Sequence, residues 1–268
     1  MRILDIASSG VRAQEVTLAN IADNIANINT AGYKKREADF AETLAVNEKE
    51  PFSPQLENNP NNVAVGAGVI LRSTPLNMEQ GTLQSSTNPF DLAISGQGFF
   101  QVITPDRQTL FTRTGIFRLE TSTSQTGQKT TVIIDPFGNR LKTKPALNIP
   151  GEVKEIQVDQ EGNVYSMDEN GTKKVYGQII LANFTNPEKL VAAGNNLFQT
   201  TQEAGNFTEE FPGTNDVGTI NAQMLEMSNV NLADEMTALI QAQRAYQLNV
   251  RMIQDGDEMW GMANALRR

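Results

Sequence analysis

Two stretches, one near each end of the chain, carry an apolar residue at every seventh position. In the first, Leu4, Val11, Leu18 and Ile25 form the series; Ile21 and Ile28 supply the partner position, and Ala7 and Ala22 widen it. In the second, Leu225, Leu232, Leu239, Tyr246, Ile253 and Trp260 are in phase, with Met236 and Val250 four residues on from members of the series. Seven-residue spacing puts these side chains along one narrow stripe of an α-helix. The spacing predicts a helix from Ile3 to about Asn29, with Gln14 as a polar break, ended at Thr30-Ala31-Gly32 by a left-handed glycine. It predicts a longer one over about Leu232 to Leu266, with Gly256 as a weak point. Asn231 suits its N-cap, Asp234 and Glu235 suit its positive first turn, and Arg267 and Arg268 lie at the end that favours cations. A single apolar stripe cannot be buried alone. The two stripes can pair with each other as a coiled coil, which brings the chain ends together. A two-helix pair leaves most of its surface open, and further copies of the same pair are the simplest cover.

The text between the helices is different. From Glu48 to Asn62, Pro51, Pro54, Pro60 and several Asn argue against a helix and point to a loop or an irregular, extended arm. From Val63 onward the pattern is strand and turn. Val63–Leu71 is apolar and glycine-spaced; Gly66 and Gly68 suit close backbone approach or a bulge. Phe99–Ile103 and Thr109–Arg113 flank a hairpin turn at Thr104–Gln108. Further strands fall at Lys129–Ile134, Glu155–Val158, Asn163–Ser166 and Lys174–Asn183, among turn signals at Phe137-Gly138-Asn139, Glu161-Gly162-Asn163 and Asn170-Gly171. The fold class is α+β: terminal helices pairing as a coiled coil, a central all-β domain and an irregular extended arm. Residues 1–32 and 228–268 form a helical assembly domain. Residues 33–72 form a linker with the arm at 46–62, and residues 73–227 a β-rich outer domain.

Composition narrows the chemistry. The 22 basic and 31 acidic residues leave a net charge of −9, which disfavours a nucleic-acid partner because phosphate binding needs clustered cations. The small basic runs, Lys34-Lys35-Arg36 and Arg267-Arg268, read as solvated charge near helix ends. The chain has no cysteine and no histidine. Thiol nucleophiles, thiolate metal sites, disulfides and Ser-His-Asp arrangements are therefore excluded. Carboxylate pairs remain open, but Glu152, Glu155, Asp159 and Glu161 lie on a stretch that reads as exposed strand and turn. Asp159–Asn163 and Asp168–Gly171 lack the spacing of a calcium loop and read as hairpin turns. Gly96-Gln97-Gly98 precedes a strand rather than a helix, so it is no phosphate cradle. No catalytic, cofactor or metal residue is assigned. No run approaches the ~20 apolar residues of a membrane span, and Asp5, Ser8, Ser9, Gln14 and Glu15 interrupt any signal-peptide core.

Asn20, Asn24 and Asn27 fall on one face of the first helix, where Asn is a poor interior residue. They read either as an exposed polar face or as inter-helix hydrogen bonds that fix register. Tyr246 and Trp260 belong to the packing seam. The candidate assembly residues are Leu4, Val11, Leu18, Ile21, Asn24, Ile25, Asn27, Leu232, Met236, Leu239, Tyr246, Val250, Ile253 and Trp260.

Three separated segments carry a family resemblance. Ile21–Lys34, reading IADNIANINTAGYK, resembles the N-terminal signature of bacterial flagellar rod and hook proteins, with departures at Asp23, Ile25 and Tyr33. Ile94–Val102 followed by Phe111–Phe117 resembles a second family segment, with Thr114 where the family usually has Asp. Ser228–Met236 through Gln243–Tyr246 resembles a third. The order is the family's and the coverage is nearly the whole chain. Overall length and the insertion around Val46–Asn62 resemble the distal-rod branch; a proximal rod or hook subunit is the near alternative. An enzyme acting on cell-wall glycans is the distant one. The resemblance implies a structural subunit exported through the flagellar type III apparatus without signal cleavage, located in the periplasmic rod. It implies a hollow helical homopolymer that transmits torque, with neighbouring rod and hook subunits, ring proteins and the export apparatus as partners. Phe40-Ala41-Glu42-Thr43-Leu44 resembles an export-gate docking motif through Phe40 and Leu44; the same two residues also suit an i, i+4 packing pair. The arm Val46–Asn62 is the candidate for locking neighbouring subunits into a stiff shaft.

Overall fold

The computed structural model describes residues 2–43, 46–47, 64–123, 129–147, 149–150, 156–167, 172–214 and 217–266. They divide into two compact units. The helical unit combines residues 1–26, 36–75 and 231–268, and the β-rich unit combines 27–35 and 76–230.

The helical unit is built on α1 (Arg2–Ala26) and α2 (Leu232–Leu266). Asn24, near the end of α1, hydrogen-bonds Glu235, near the start of α2. Gly10 lies against Asn249, and Leu4 against Gly256. The two helices therefore pack antiparallel. α2 starts as its sequence signals: the Asn231 side chain accepts the Ala233 N–H at 3.1 Å, and its carbonyl accepts the Glu235 N–H at 3.0 Å. Leu225 keeps the seven-residue phase but lies ahead of this cap, outside the helix. α1 ends at Ala26, earlier than the periodicity indicated, so Asn27 and Ile28 leave the helical face and sit in a turn. Gly32 does take a left-handed conformation, at φ 69°.

Between the helices in chain order come β1 (Asp39–Glu42), β2 (Val46–Asn47), β3 (Ala64–Val65) and β4 (Val69–Ser73), with β1 paired antiparallel to β4 and β2 to β3. Val46 and Asn47 are thus paired strand rather than irregular arm; the remainder of the arm, with its three prolines, lies outside the described residues. The glycine-spaced stretch gives two short strands, Ala64–Val65 and Val69–Ser73, parted by Gly66-Ala67-Gly68. Gly68 has φ 105°, and a methyl group there would collide with the Ser9 hydroxyl, so the close approach foreseen for this glycine is to α1. Phe40 is half-buried in β1, opposite Leu71. Residues four apart are neighbours on a helix but not along a strand. Leu44, and with it the pairing with Phe40, lies outside the described residues.

The β-rich unit contains eighteen strands among its described residues. In chain order they are β5 (Leu83–Ser85), β6 (Leu92–Ser95), β7 (Phe99–Ile103), β8 (Thr109–Thr112), β9 (Arg118–Thr123), β10 (Lys129–Ile134), β11 (Arg140–Leu141), β12 (Thr143–Lys144) and β13 (Ile149–Pro150). There follow β14 (Ile156–Val158), β15 (Asn163–Met167), β16 (Lys173–Ile179), β17 (Leu181–Phe184), β18 (Val191–Gly194), β19 (Leu197–Gln199), β20 (Phe207–Glu210), β21 (Thr219–Ala222) and β22 (Met224–Glu226). The main sheet runs β13-β10-β11-β7-β8-β19-β18, with β9 beside β10 and β17-β20 joined to β7. A four-stranded sheet runs β12-β16-β15-β14, and β6 pairs β21 while β5 pairs β22. The stretch read as one strand over Lys174–Asn183 is two, β16 and β17, parted at Ile180.

Two apolar clusters fill this unit. One gathers Phe100, Phe117, Leu92, Ile133, Ile149, Val164, Ile179 and Ile220. The other is aromatic: Phe111 meets Phe184 edge-on at 4.8 Å between centroids, and Phe99 meets Phe184 at 5.6 Å. Edge-to-face pairs at such separations add to area burial. Gly115 is required for close packing, since a Cβ there would strike the Leu92 carbonyl oxygen.

Candidate assembly surface

The face on which α1 and α2 meet is lined by small and polar residues. On α1, Ala7, Ile21 and Asn24 are buried; on α2, Glu235, Ala242 and Gly256 are. A methyl at Gly256 would stand 3.0 Å from Leu4 Cδ2, so this glycine permits close helix approach and is not the weak point its helix propensity suggests. Asn24 is the polar centre of the face. Its Nδ2 donates to the Arg36 carbonyl (3.0 Å) and to Glu235 Oε2 (3.2 Å), and its Oδ1 accepts the Arg36 N–H (3.0 Å). Of the two readings of the Asn stripe, Asn24 follows the inter-helix one. Asn27 accepts a hydrogen bond from the Thr30 hydroxyl in the turn after α1.

Small contact residues leave the larger apolar ones outside. Leu4, Val11, Leu18 and Ile25 of α1 are half-buried, as are Leu239, Tyr246, Val250 and Ile253 of α2. Leu232, Met236 and Trp260 are exposed. Periodicity from the leucines alone missed a further row. Leu248, Met252, Met259, Met262 and Leu266 recur at spacings of three, four and seven and lie on a common face of α2. All are exposed, from 48% at Met252 to 89% at Leu266. Three are methionines, whose flexible side chains adapt to varied partners. The signal was present in the sequence as a second three-and-four spacing, hidden because Asp255 interrupts it.

The β-rich unit holds a polar junction that sequence reasoning misread. Lys34 is not solvated charge: it is 2% exposed. Its Nζ donates to Glu226 Oε1 at 2.6 Å and to the Glu79 carbonyl at 2.7 Å. The other carboxylate oxygen faces Arg113 NH1 at 3.3 Å, and the Gly81 N–H donates to Oε1 at 3.0 Å. Arg113 also donates to the Gly96 carbonyl at 2.8 Å and covers the Phe99 ring at 5.2 Å. Burial is the largest influence on Lys34 and lowers its pKa from the ordinary lysine value, against the charge and hydrogen bond of Glu226. Burial pushes Arg113 down in the same way. The backbone joins the same segments: Gly32 N–H to the Glu226 carbonyl (2.8 Å), Lys35 N–H to Asn229 Oδ1 (2.8 Å), and Asn77 N–H to the Lys35 carbonyl (2.8 Å). The chain leaving α1 and the chain approaching α2 are thus tied together inside this unit. A run of three cations gives no hint of this; only a carboxylate nearly two hundred residues away makes burial of Lys34 tolerable.

Asp159 and Glu161 lie in a hairpin turn, as expected, while Glu152, Glu155 and Asp168–Gly171 lie outside the described residues. Among the described residues no group of acidic side chains could hold a metal. Nor is any helix long and apolar enough to cross a membrane. The described residues thus give an antiparallel pair of terminal helices with exposed apolar residues on α2, and a β-rich unit with a filled core.

Comparison with known proteins agrees. Residues 4–34 match the family described as flagella basal body rod protein, residues 93–166 the flagellar hook protein FlgE/F/G D1 domain, and residues 221–266 the flagellar basal body rod FlgEFG protein C-terminal family. The chain is 36% identical to the flagellar basal-body rod protein FlgG of Caulobacter vibrioides over the full length of both. It is 35% identical to that of Borreliella burgdorferi, covering 100% of this chain and 99% of the relative. The flagellar hook-basal body complex protein FlhP of Bacillus subtilis is 29% identical over the full length of both. The chain belongs to the flagellar basal-body rod protein family, a family of structural proteins.

Proposed function

We propose that this chain is the repeating subunit of the distal part of the rod, joined to its copies through the two terminal helices. The supporting observation is the exposed apolar row on α2. Nine large apolar side chains of this helix are exposed, and five of them, Leu248, Met252, Met259, Met262 and Leu266, share one face. A row of that length exceeds the scattered exposed apolar residues normal for a monomer. Joined head to tail by surfaces that do not close on themselves, such subunits build an open helical shaft. In this reading α1 and α2 pair as a coiled coil toward the axis of a hollow tube, and the β-rich unit faces outward. The polymer carries torque between the motor and the hook, adjoining other rod and hook subunits and turning within the ring proteins. The subunit reaches the periplasmic basal body through the type III export channel without signal cleavage, docking there through Phe40 and Leu44, and the arm 46–62 stiffens the shaft. The assembly residues named from the seven-residue spacing act together with the newly recognised row.

Purified chains should form sedimenting tubes as concentration rises. Leu248→Asp combined with Met252→Asp should abolish them while leaving thermal unfolding of the β-rich unit unchanged. Tubes formed equally well by this double variant would remove α2 as the assembling element.

A further inference from the structure

Two features of the helical unit are each incomplete alone. The first is an overhang. The antiparallel register that sets Asn24 beside Glu235 and Leu4 beside Gly256 carries α2 past the first turn of α1. The stretch from about Glu258 to Leu266, about 14 Å at the α-helical rise, has no α1 residue opposite it. Met259, Met262 and Leu266, spaced three and four apart, give it an exposed apolar face. Asp255, Asp257 and Glu258 stand immediately before that face.

The second is a groove of about 440 Å³ between α1 and β4. Its α1 wall is Asp5, Ser8, Ser9, Arg12, Ala13 and Val16; its other wall is Val69, Ile70 and Leu71, all three exposed. The α1 wall follows a three-and-four spacing that places it on the side of the helix away from Ala7, Gly10, Ile21 and Asn24, which face α2. The chain's own α2 therefore cannot fill it. From Asp5 to Val16 the wall extends about 16 Å, close to the length of the overhang.

We propose that the overhang of α2 in one copy of this chain seats in the α1–β4 groove of a second copy. This rests on the assembly reading above and names the mating surfaces. Charge sets the direction. A second copy displaced sideways, and by roughly 18 Å along the helix axis without reversal, brings Met259, Met262 and Leu266 alongside Val69, Ile70 and Leu71. The same displacement brings Glu258 level with Arg12. Reversal would instead carry the acidic residues toward Asp5. Because the two surfaces differ and each contact displaces the next copy along the helix axis in the same direction, the contact repeats without closing, as a shaft requires.

The absence of cysteine allows a direct test in the full-length chain. Ile70→Cys and Met259→Cys chains are prepared separately, mixed under assembling conditions and treated with a short thiol cross-linker. The mixed product should exceed both self-linked products, and Ile70→Asp should raise the concentration needed for assembly at least tenfold. If wild-type chains assemble but the mixed product does not exceed the self-linked ones, the groove is not the seat and helix-driven assembly stands. If Ile70→Asp assembles at the wild-type concentration, the seat is likewise overturned. Wild-type chains that stay single at every concentration would overturn both readings.

Discussion

The two units solve the same problem in opposite ways. The β-rich unit encloses a core of large side chains: Phe100, Phe111, Phe117, Ile133 and Leu181 are all essentially inaccessible. In the helical unit the contact face holds Ala7, Ile21, Asn24, Glu235, Ala242 and Gly256, and most large apolar residues are left at the periphery. The first arrangement completes a core within one chain. The second gives the helices close approach but little buried apolar area, and stability per chain is correspondingly low. A subunit that must be stable alone and yet join copies of itself needs both. The difference teaches that here an apolar stripe marks where the next chain goes as much as where the chain folds on itself.

The sharpest way to break this comparison lies in the polar junction of the β-rich unit. Glu226→Ala leaves Lys34 and Arg113 buried without their shared counter-charge. Removing one partner of a buried ion pair costs about 3–5 kcal/mol, which in a unit of this size lowers Tm by on the order of 10 °C. Calorimetry should show that loss in the β-rich transition. An unchanged transition would mean that the junction forms without contributing to stability.

The corresponding cut in the helical unit is Asn24→Ala, which takes hydrogen bonds from Arg36 and Glu235. Leaving buried groups unpaired costs about 1–3 kcal/mol. Circular dichroism at the helical signal should show earlier melting of the helices, with the β-rich transition where it was. If both transitions move together, the two units unfold as one and the contrast drawn above is structural only.

The sequence revealed most where one local rule decided the outcome. The Asn231 cap, the hairpin between β7 and β8, the turn at Phe137-Gly138-Asn139 and the extent of α2 all follow from residues within a few positions of one another. What was illegible depends on distance along the chain. Lys34 looks solvated until Glu226 is beside it. Gly256 looks like a flaw until Leu4 is packed on it. On α1 the predicted stripe included Ala7 and Ile21, which are buried against α2; on α2 the buried Glu235, Ala242 and Gly256 stand three positions on from the leucines, in a series that satisfies seven-residue spacing equally well. Only the partner helix chooses between the two series, and it takes the one in which Ala242 and Gly256 permit close approach and Glu235 accepts from Asn24.

The smallest effect separates surface from core within the β-rich unit. Glu209, on β20, accepts from Lys142 Nζ at 2.5 Å and from Lys144 Nζ at 2.7 Å. These hydrogen bonds, Lys142 first, hold its carboxyl below the ordinary carboxylate range. A depressed carboxylate pKa means that the unfolded chain binds the proton more readily. The contribution to stability is therefore complete above the unfolded value and is lost as pH falls through the folded one. The side chains are partly exposed, at 24% for Glu209 and 56% for Lys144, so screening by water and salt limits the gain to about 1 kcal/mol or less. Glu209→Gln should lower Tm by only a degree or two at neutral pH, with the gap to wild type closing in strong acid. Raising the salt should narrow that neutral-pH gap, whereas the loss caused by Glu226→Ala should persist because its charges are shielded from solvent. A Glu209→Gln deficit that stayed the same at every pH would assign the effect to lost packing rather than to charge.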